Sequence, residues 1–388
     1  MSLLDNILSD ESARLAEFPV AREQIFMAHA GVTILPRRAA RAMQEYVEKS
    51  CVQHQEFADA YRAVNETRKI AGDLIGAKAA EISLIGPTSL GLSLVANGIP
   101  WQPGDEVLCY HDDYPANVYP WLELRRRGVV VRYVEPANPG EITPELIERS
   151  LSGKTRLVAL ASCHFLTGFR IDVDAIGRLL HSRGVLFCLD AIQTLGAFET
   201  RVDHVDFLSA DAHKWLLGPM AAGIFFVKEE RQELLRPTLL GAWNVKSPNF
   251  VAQDEVVFEQ GGRRYEPGVL NMAGILGMRA SIELLTEIGI DNVSKRLLAL
   301  KSHLIARLTT LGFRFVMPTE GPNASGITTA WREPSHATVE KVFDHLTTKG
   351  VIVSLRHNRQ GKAHLRFSPH FYNTEAEIDR IAGLIASA

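Results

Sequence analysis

The stretch from about residue 81 to 228 constrains the fold most, because short continuous apolar runs alternate there with helical patterns. EISLIG (81–86), EVLCY (106–110), VVVRYVE (129–135), RLVALAS (156–162), VLFCLDA (185–191), VDFLSA (205–210) and GIFFVK (223–228) have strand length and bounding turn residues. Helix-like segments lie between several of them: Ser89–Ile99, Pro115–Arg127, Pro144–Ser150 and Asp174–Ser182. A strand that is apolar throughout must be dry on both sides. The runs therefore predict an α/β fold, a mainly parallel sheet with helices on both faces. Such sheets bind ligands at the carboxyl ends of their strands, so the residues just after each run carry the interest.

The tail is different. After a Gly-rich stretch at 260–271 come helical patterns at Met272–Ile288 and Val293–Leu311, then β-like runs at 313–318, 326–331, 350–355 and 363–368, and a final helix from Thr374. This predicts a smaller α+β domain over 272–388, a large domain over 23–271, and an N-terminal arm (1–22) packed with the small domain.

Charge excludes several classes of partner. With Lys+Arg 42 against Asp+Glu 45, the basic runs Arg125–Arg127 and Arg263–Arg264 are too short for nucleic acid or an anionic membrane. No apolar stretch reaches the ~18–20 residues of a membrane helix, and the N-terminus lacks a secretory signal pattern; a soluble, cytoplasmic protein is expected. Cys51, Cys109, Cys163 and Cys188 are widely spaced, which argues against a zinc site or redox pair, so no metal is expected; Cys109 and Cys188 lie within apolar runs, which predicts buried free thiols.

Four features follow predicted strands. Gly86-Pro87-Thr88-Ser89-Leu90-Gly91 offers a glycine turn, two hydroxyls and helix N-terminal amides, which suit a phosphate but equally suit a plain capped turn. Asp190 ends VLFCLDA with Gln193 three residues on; it is either a helix cap or a fixed anion for a protonated ligand nitrogen. In Ser209-Ala-Asp211-Ala-His213-Lys214-Trp215, apolar neighbours would lower the lysine pKa and favour a nucleophilic amine; otherwise the lysine snorkels to the surface. Tyr114 puts a ring at the same sheet edge, or is a loop tyrosine. An imine-forming lysine, an acid for a ring nitrogen, a stacking ring and a phosphate cradle are together the parts that pyridoxal phosphate requires.

The chain resembles the class V aminotransferase-fold group of fold-type I pyridoxal-phosphate enzymes, which includes cysteine desulfurases, selenocysteine lyases and isopenicillin N epimerase-like proteins. The resemblance runs from Phe26-Met-Ala-His29-Ala-Gly31 to Ile385. Its most specific part is Asp190-Ala-Ile-Gln193 with Ser209 to Pro219, where 24 residues separate Asp190 from Lys214. It implies a seven-stranded, mainly parallel large-domain sheet and pyridoxal 5'-phosphate as cofactor. It implies that Lys214 is the Schiff-base lysine, that Asp190 pairs with the pyridine nitrogen, and that Gln193 bonds the phenolic oxygen. Thr88, Ser89 and His213, with Asp211 nearby, would hold the phosphate, Tyr114 would stack on the ring, and Arg366 would clamp the substrate α-carboxylate. His29, Arg356 and His357 are further candidates for substrate selection. The resemblance also implies a homodimer with active sites at the interface.

Three departures bear on the reaction. The segment 354–364 has no cysteine where desulfurases carry their nucleophile, Val269 replaces a threonine that contacts the partner's phosphate, and Tyr114 replaces a stacking histidine. The leading expectation is aminotransferase-type chemistry on an amino acid. The alternatives are a C–S β-lyase without a persulfide cysteine, or an epimerase.

Overall fold

The structure is a computed structural model that describes residues 2–316, 318–332 and 338–387. Met317, within the predicted run 313–318, lies outside the described residues. The chain opens with α1 (Leu3–Ser9), α2 (Glu11–Glu17) and β1 (Ile25–Phe26), followed by α3 (Arg37–Ser50) and α4 (Ala58–Ile75). The predicted alternation then unfolds as β2 (Ile82–Ser83), α5 (Thr88–Gly98), β3 (Glu106–Cys109), α6 (Tyr119–Glu123), β4 (Val130–Tyr133) and α7 (Pro144–Ser150). It continues through β5 (Thr155–Ala161), α8 (Val173–Ser182), β6 (Leu186–Asp190), β7 (Phe207–Asp211) and β8 (Gly223–Val227). All seven strands join one sheet, in the order β2-β8-β7-β6-β5-β3-β4. Only β8 runs against its neighbours.

The continuous apolar runs are explained by where alternate side chains go. Leu186 and Cys188 pack into one core and Phe187 and Leu189 into another; Leu157 and Ala159 likewise separate from Val158 and Leu160. A period of two thus fills both faces of the sheet. Residues of α5 pack on one face, while α8 and α9 (Met272–Ile288) cover the other. The predicted helix 115–127 is broken into short turns around α6, because Pro120 has no N–H to bond the carbonyl four residues back. The predicted run 81–86 forms a ladder only at Ile82 and Ser83, since the Leu84 N–H donates to Glu266 Oε1 instead.

Beyond α9 lie α10 (Ile290–Thr309), β9 (Phe313–Phe315), β10 (Thr328–Arg332), α11 (Val339–Thr348), β11 (Val351–Ile352), β12 (Ser354–His357), β13 (Ala363–Phe367) and α12 (Glu375–Ala386). The four-stranded sheet β12-β13-β10-β9 shares a separate core with α10, α11 and α12. The single predicted run 350–355 divides at Val353: β11 pairs in parallel with β1, and β12 joins β13. That β1–β11 pairing, with a bridge from Ala28 to Ser368, draws residues 28–32 to the place where the two sheets meet. The arm is tied to the last helix by the Arg14–Glu377 ion pair at 2.8 Å, and Phe18 stacks on Tyr372 just before that helix. Among the described residues, no helix is long and apolar enough to cross a membrane.

Candidate active site

A cavity of about 380 Å³ opens at the carboxyl ends of the central strands. Ala30 to Val32, Thr88, Ser89, Tyr114, Phe165, Asp190, Gln193, His213, Lys214, Ser354, Arg356 and Arg366 all line it. Residues more than 300 positions apart in the chain thereby share one space.

Lys214 follows β7 at the head of a tight turn closed by Leu217 N–H to the Lys214 carbonyl, with Leu217 at φ 56°. A leucine in the left-handed region is strained, and the surrounding packing has to hold it there. The Lys214 side chain is 7% exposed. Its Nζ makes no hydrogen bond or ion pair among the described residues and stands 5.2 Å from the Tyr114 ring centre. Burial brings its pKa down to about 8, against the pull of Asp190 and with Arg366 and Arg356 adding to the fall.

Asp190, the last residue of β6, is buried, and its Oδ1 accepts the Ile192 N–H at 3.0 Å. Desolvation first, and then the neighbouring Asp113, raise its carboxyl to about 7. Such a group needs a cation beside it to remain ionised. Gln193 is fixed from both ends, its Oε1 accepting Trp215 Nε1–H at 2.8 Å and its Nε2 donating to the Ala30 carbonyl at 3.1 Å. One amide hydrogen remains free for a ligand.

Thr88 opens α5, and its Oγ1 accepts the Asp211 N–H at 2.9 Å, leaving the hydroxyl hydrogen to donate elsewhere. Ser89 stands beside it in the first turn, where backbone N–H groups lack helical partners. Asp211 Oδ1 and His213 Nδ1 lie 3.1 Å apart but out of line for a hydrogen bond, so both stay unpartnered. Asp211 itself sits behind the wall, its Oδ2 accepting the Ala221 N–H.

Arg366 on β13 is 1% exposed. Its Nη1 donates to the Phe165 carbonyl at 2.7 Å, and no carboxylate lies within ion-pair distance among the described residues. Burial and the neighbouring Arg356 bring its pKa down to about 9. Tyr114 is 46% exposed and rests edge-on against Phe165, with 5.6 Å between centres.

Two predicted substrate residues are corrected. His29 is fully buried away from the cavity: its Nδ1–H donates to the Ser368 carbonyl at 2.9 Å, and its Nε2 accepts the Tyr372 hydroxyl at 3.2 Å. It is a packing residue because both nitrogens are already bonded. His357, at the end of β12, is exposed outside the cavity wall. Phe165, Ser354, Asp113 and Gly31 were not singled out. Asp113 directly precedes Tyr114, but nothing in the sequence marks Phe165, whose carbonyl is what holds Arg366.

The residues present fit pyridoxal 5'-phosphate. An unpaired buried lysine, a buried carboxyl with no ion-pair partner in contact, and a helix N-terminus with a free hydroxyl hydrogen each lack what that molecule would provide. The absence of a nucleophilic thiol is also plain in space. None of the four cysteines lines the cavity; Cys109, Cys163 and Cys188 are buried, with thiol pKa raised by burial, and Cys51 is exposed at the end of α3.

Comparison with known proteins gives the family and the fold. Residues 25–381 match the family model described as Aminotransferase class-V. A probable cysteine desulfurase of Methanothermobacter thermautotrophicus is 30% identical over 93% of this chain and 94% of its own. Among solved structures, the apo cysteine desulfurase of Thermococcus onnurineus NA1 superposes with a TM-score of 0.88 at 24% identity, covering 96% of this chain and 98% of that one. A cystine C–S lyase in complex with its product cysteine persulfide gives a TM-score of 0.86 at 19% identity, covering 95% and 99%. A further structure of that lyase type carries glycine covalently linked to pyridoxal phosphate.

Proposed function

The chain belongs to the class-V aminotransferase family, its cofactor is pyridoxal 5'-phosphate, and we propose that it is a C–S lyase acting on the β-substituent of a cysteine derivative. One observation carries the choice of reaction: a single cavity gathers Lys214, Asp190 and Arg366 and contains no cysteine. The names of the relatives support C–S chemistry, whereas transfer of sulfur to the enzyme needs a thiolate in the cavity. Sulfur therefore leaves with its substituent as a free thiol. The overall balance is one S-substituted cysteine and one water giving one pyruvate, one ammonium ion and one thiol.

When bound, pyridoxal phosphate supplies an electron sink for the bonds at the substrate Cα. Thr88, Ser89, the first amides of α5 and His213 would hold its phosphate. Asp190 would serve the ring nitrogen as a fixed anion, Gln193 would offer its free amide hydrogen, and Tyr114 would stack on the ring. Arg366 binds the α-carboxylate through its two-pronged guanidinium. Lys214, its pKa lowered by burial to about 8, gives up a proton far more readily than an exposed lysine, so it can accept the Cα proton and pass a proton to the departing sulfur.

The exposed Val269, at 68%, and Phe250, at 76%, leave apolar surface that suits a second copy, so a homodimer belongs to this reading. The four free cysteines fit a reducing cytoplasm. The test is single-turnover mixing of the holoenzyme with S-substituted cysteines. Pyruvate and free thiol should appear in equal amounts, unaffected by prior alkylation of protein thiols. Amino-group transfer to an added 2-oxo acid without thiol release would refute the lyase, as would inactivation by alkylation.

A further inference from the structure

Arg356 has no assigned partner, and its surroundings are specific. In the β12–β13 ladder Arg356 pairs with His364 and Ser354 pairs with Arg366, so the two arginines are diagonal neighbours on one face of the sheet. Their guanidinium ends converge beside Gly31: a methyl group built on that glycine would meet Arg356 Nη2 at 3.5 Å and Arg366 Nη2 at 3.6 Å. Both line the cavity, and both carry a buried Nε with no hydrogen-bond partner. Arg366 at least donates to Phe165 and, at 3.5 Å, to Ser354 Oγ. Arg356 makes no hydrogen bond or ion pair at all among the described residues. The acid that lines this cavity is Asp190, which the proposed function commits to the ring nitrogen.

One α-carboxylate compensates one guanidinium. A second guanidinium on the same wall, half-buried and with its Nε buried and unpartnered, is left without an anion. We infer that the substrate carries two negative groups, the α-carboxylate on Arg366 and a second carboxylate or comparable anion on the β-substituent, held by Arg356. This rests on the reading of Arg366 as the α-carboxylate clamp and names the class of cysteine derivative used: one whose departing thiol is itself acidic. Gly31 serves the arrangement by leaving the space between the two guanidiniums open, since any side chain there would enter it.

The test uses acids without an amino group, which bind but cannot react. Isothermal titration of the holoenzyme with succinate and with propionate should show succinate bound roughly 10- to 100-fold more tightly, the ratio that one buried charge-assisted contact supplies. Arg356→Gln should abolish that ratio while leaving the propionate affinity in place; Arg356→Lys should restore part of it. Equal affinity of the unmodified holoenzyme for the two acids would overturn the inference without recourse to any variant. So would an Arg356→Gln protein that loses both acids by the same factor, since the two guanidiniums would then share one carboxylate. Because no bond is broken, the result is independent of the reaction: a succinate preference in an enzyme that releases no thiol would leave the second anion site standing and refute the lyase alone.

Discussion

Acid should loosen this protein through two histidines it keeps neutral. His370 is fully buried, its Nε2–H donating to the Trp215 carbonyl at 3.0 Å and its Nδ1 accepting the Phe371 N–H at 2.9 Å. A proton on Nδ1 would break the second bond and place a charge in an apolar interior, so burial brings the pKa from 6.5 down to about 4. Below pH 6.5 the open chain takes up a proton that the folded chain refuses, and stability falls with pH until the folded ring also titrates. The gap corresponds to about 3 kcal/mol in full and about 2 kcal/mol at pH 5. His29 is pushed in the same direction by its own burial and by His370, with ring centres 5.2 Å apart. The assay is urea denaturation at pH 7.5 and pH 5, for the native chain and for His370→Gln, whose amide can keep both hydrogen bonds. The loss of stability on acidification should shrink by about 2 kcal/mol in the variant. An identical loss in both proteins would refute the reasoning. Because His370 supports the carbonyl next to Lys214, catalytic activity should fail in the same pH range.

Borohydride reduction should fix one cofactor on the peptide that contains Lys214; Lys214→Ala should show no such adduct by mass spectrometry and no thiol release. Asp113, itself raised to about 6 chiefly by burial, pushes up the carboxyl of Asp190, so Asp113→Asn should move the acid limb of the pH–rate profile to lower pH, and a shift upward would contradict the coupling. Gly91 lets α5 close on the sheet: a methyl group there would meet the Ser209 side chain and Phe225 Cδ2, the latter at 2.9 Å. Gly91→Ala should therefore cost about 1–3 kcal/mol in denaturant titration, and an unchanged midpoint would show that the helix can move aside freely.

Each strand of the large sheet was legible, because a chain buried on both faces must be apolar at every position, and that pattern is local. Asp190, Lys214 and Thr88 were legible for a related reason: a topology of parallel strands sends the residues after each strand to one edge. Arg366 could be placed only through resemblance, because in sequence it is one charged residue in a short alternating run. His29 misled, since a histidine two residues before a glycine reads the same whether it meets a ligand or, as here, packs against His370 and Tyr372.

The sequence by itself determined the seven-stranded layer, the carboxyl-edge chemistry and the lack of a cysteine in the segment 354–364, each being a property of neighbouring residues. Tertiary structure alone decided that β1 pairs with β11 and carries Gly31 to the second sheet, that Phe165 orients Arg366, and that two guanidiniums converge on one unpaired space. Those contacts join residues up to more than 300 positions apart, and no periodicity or spacing along a chain records which distant segments will meet.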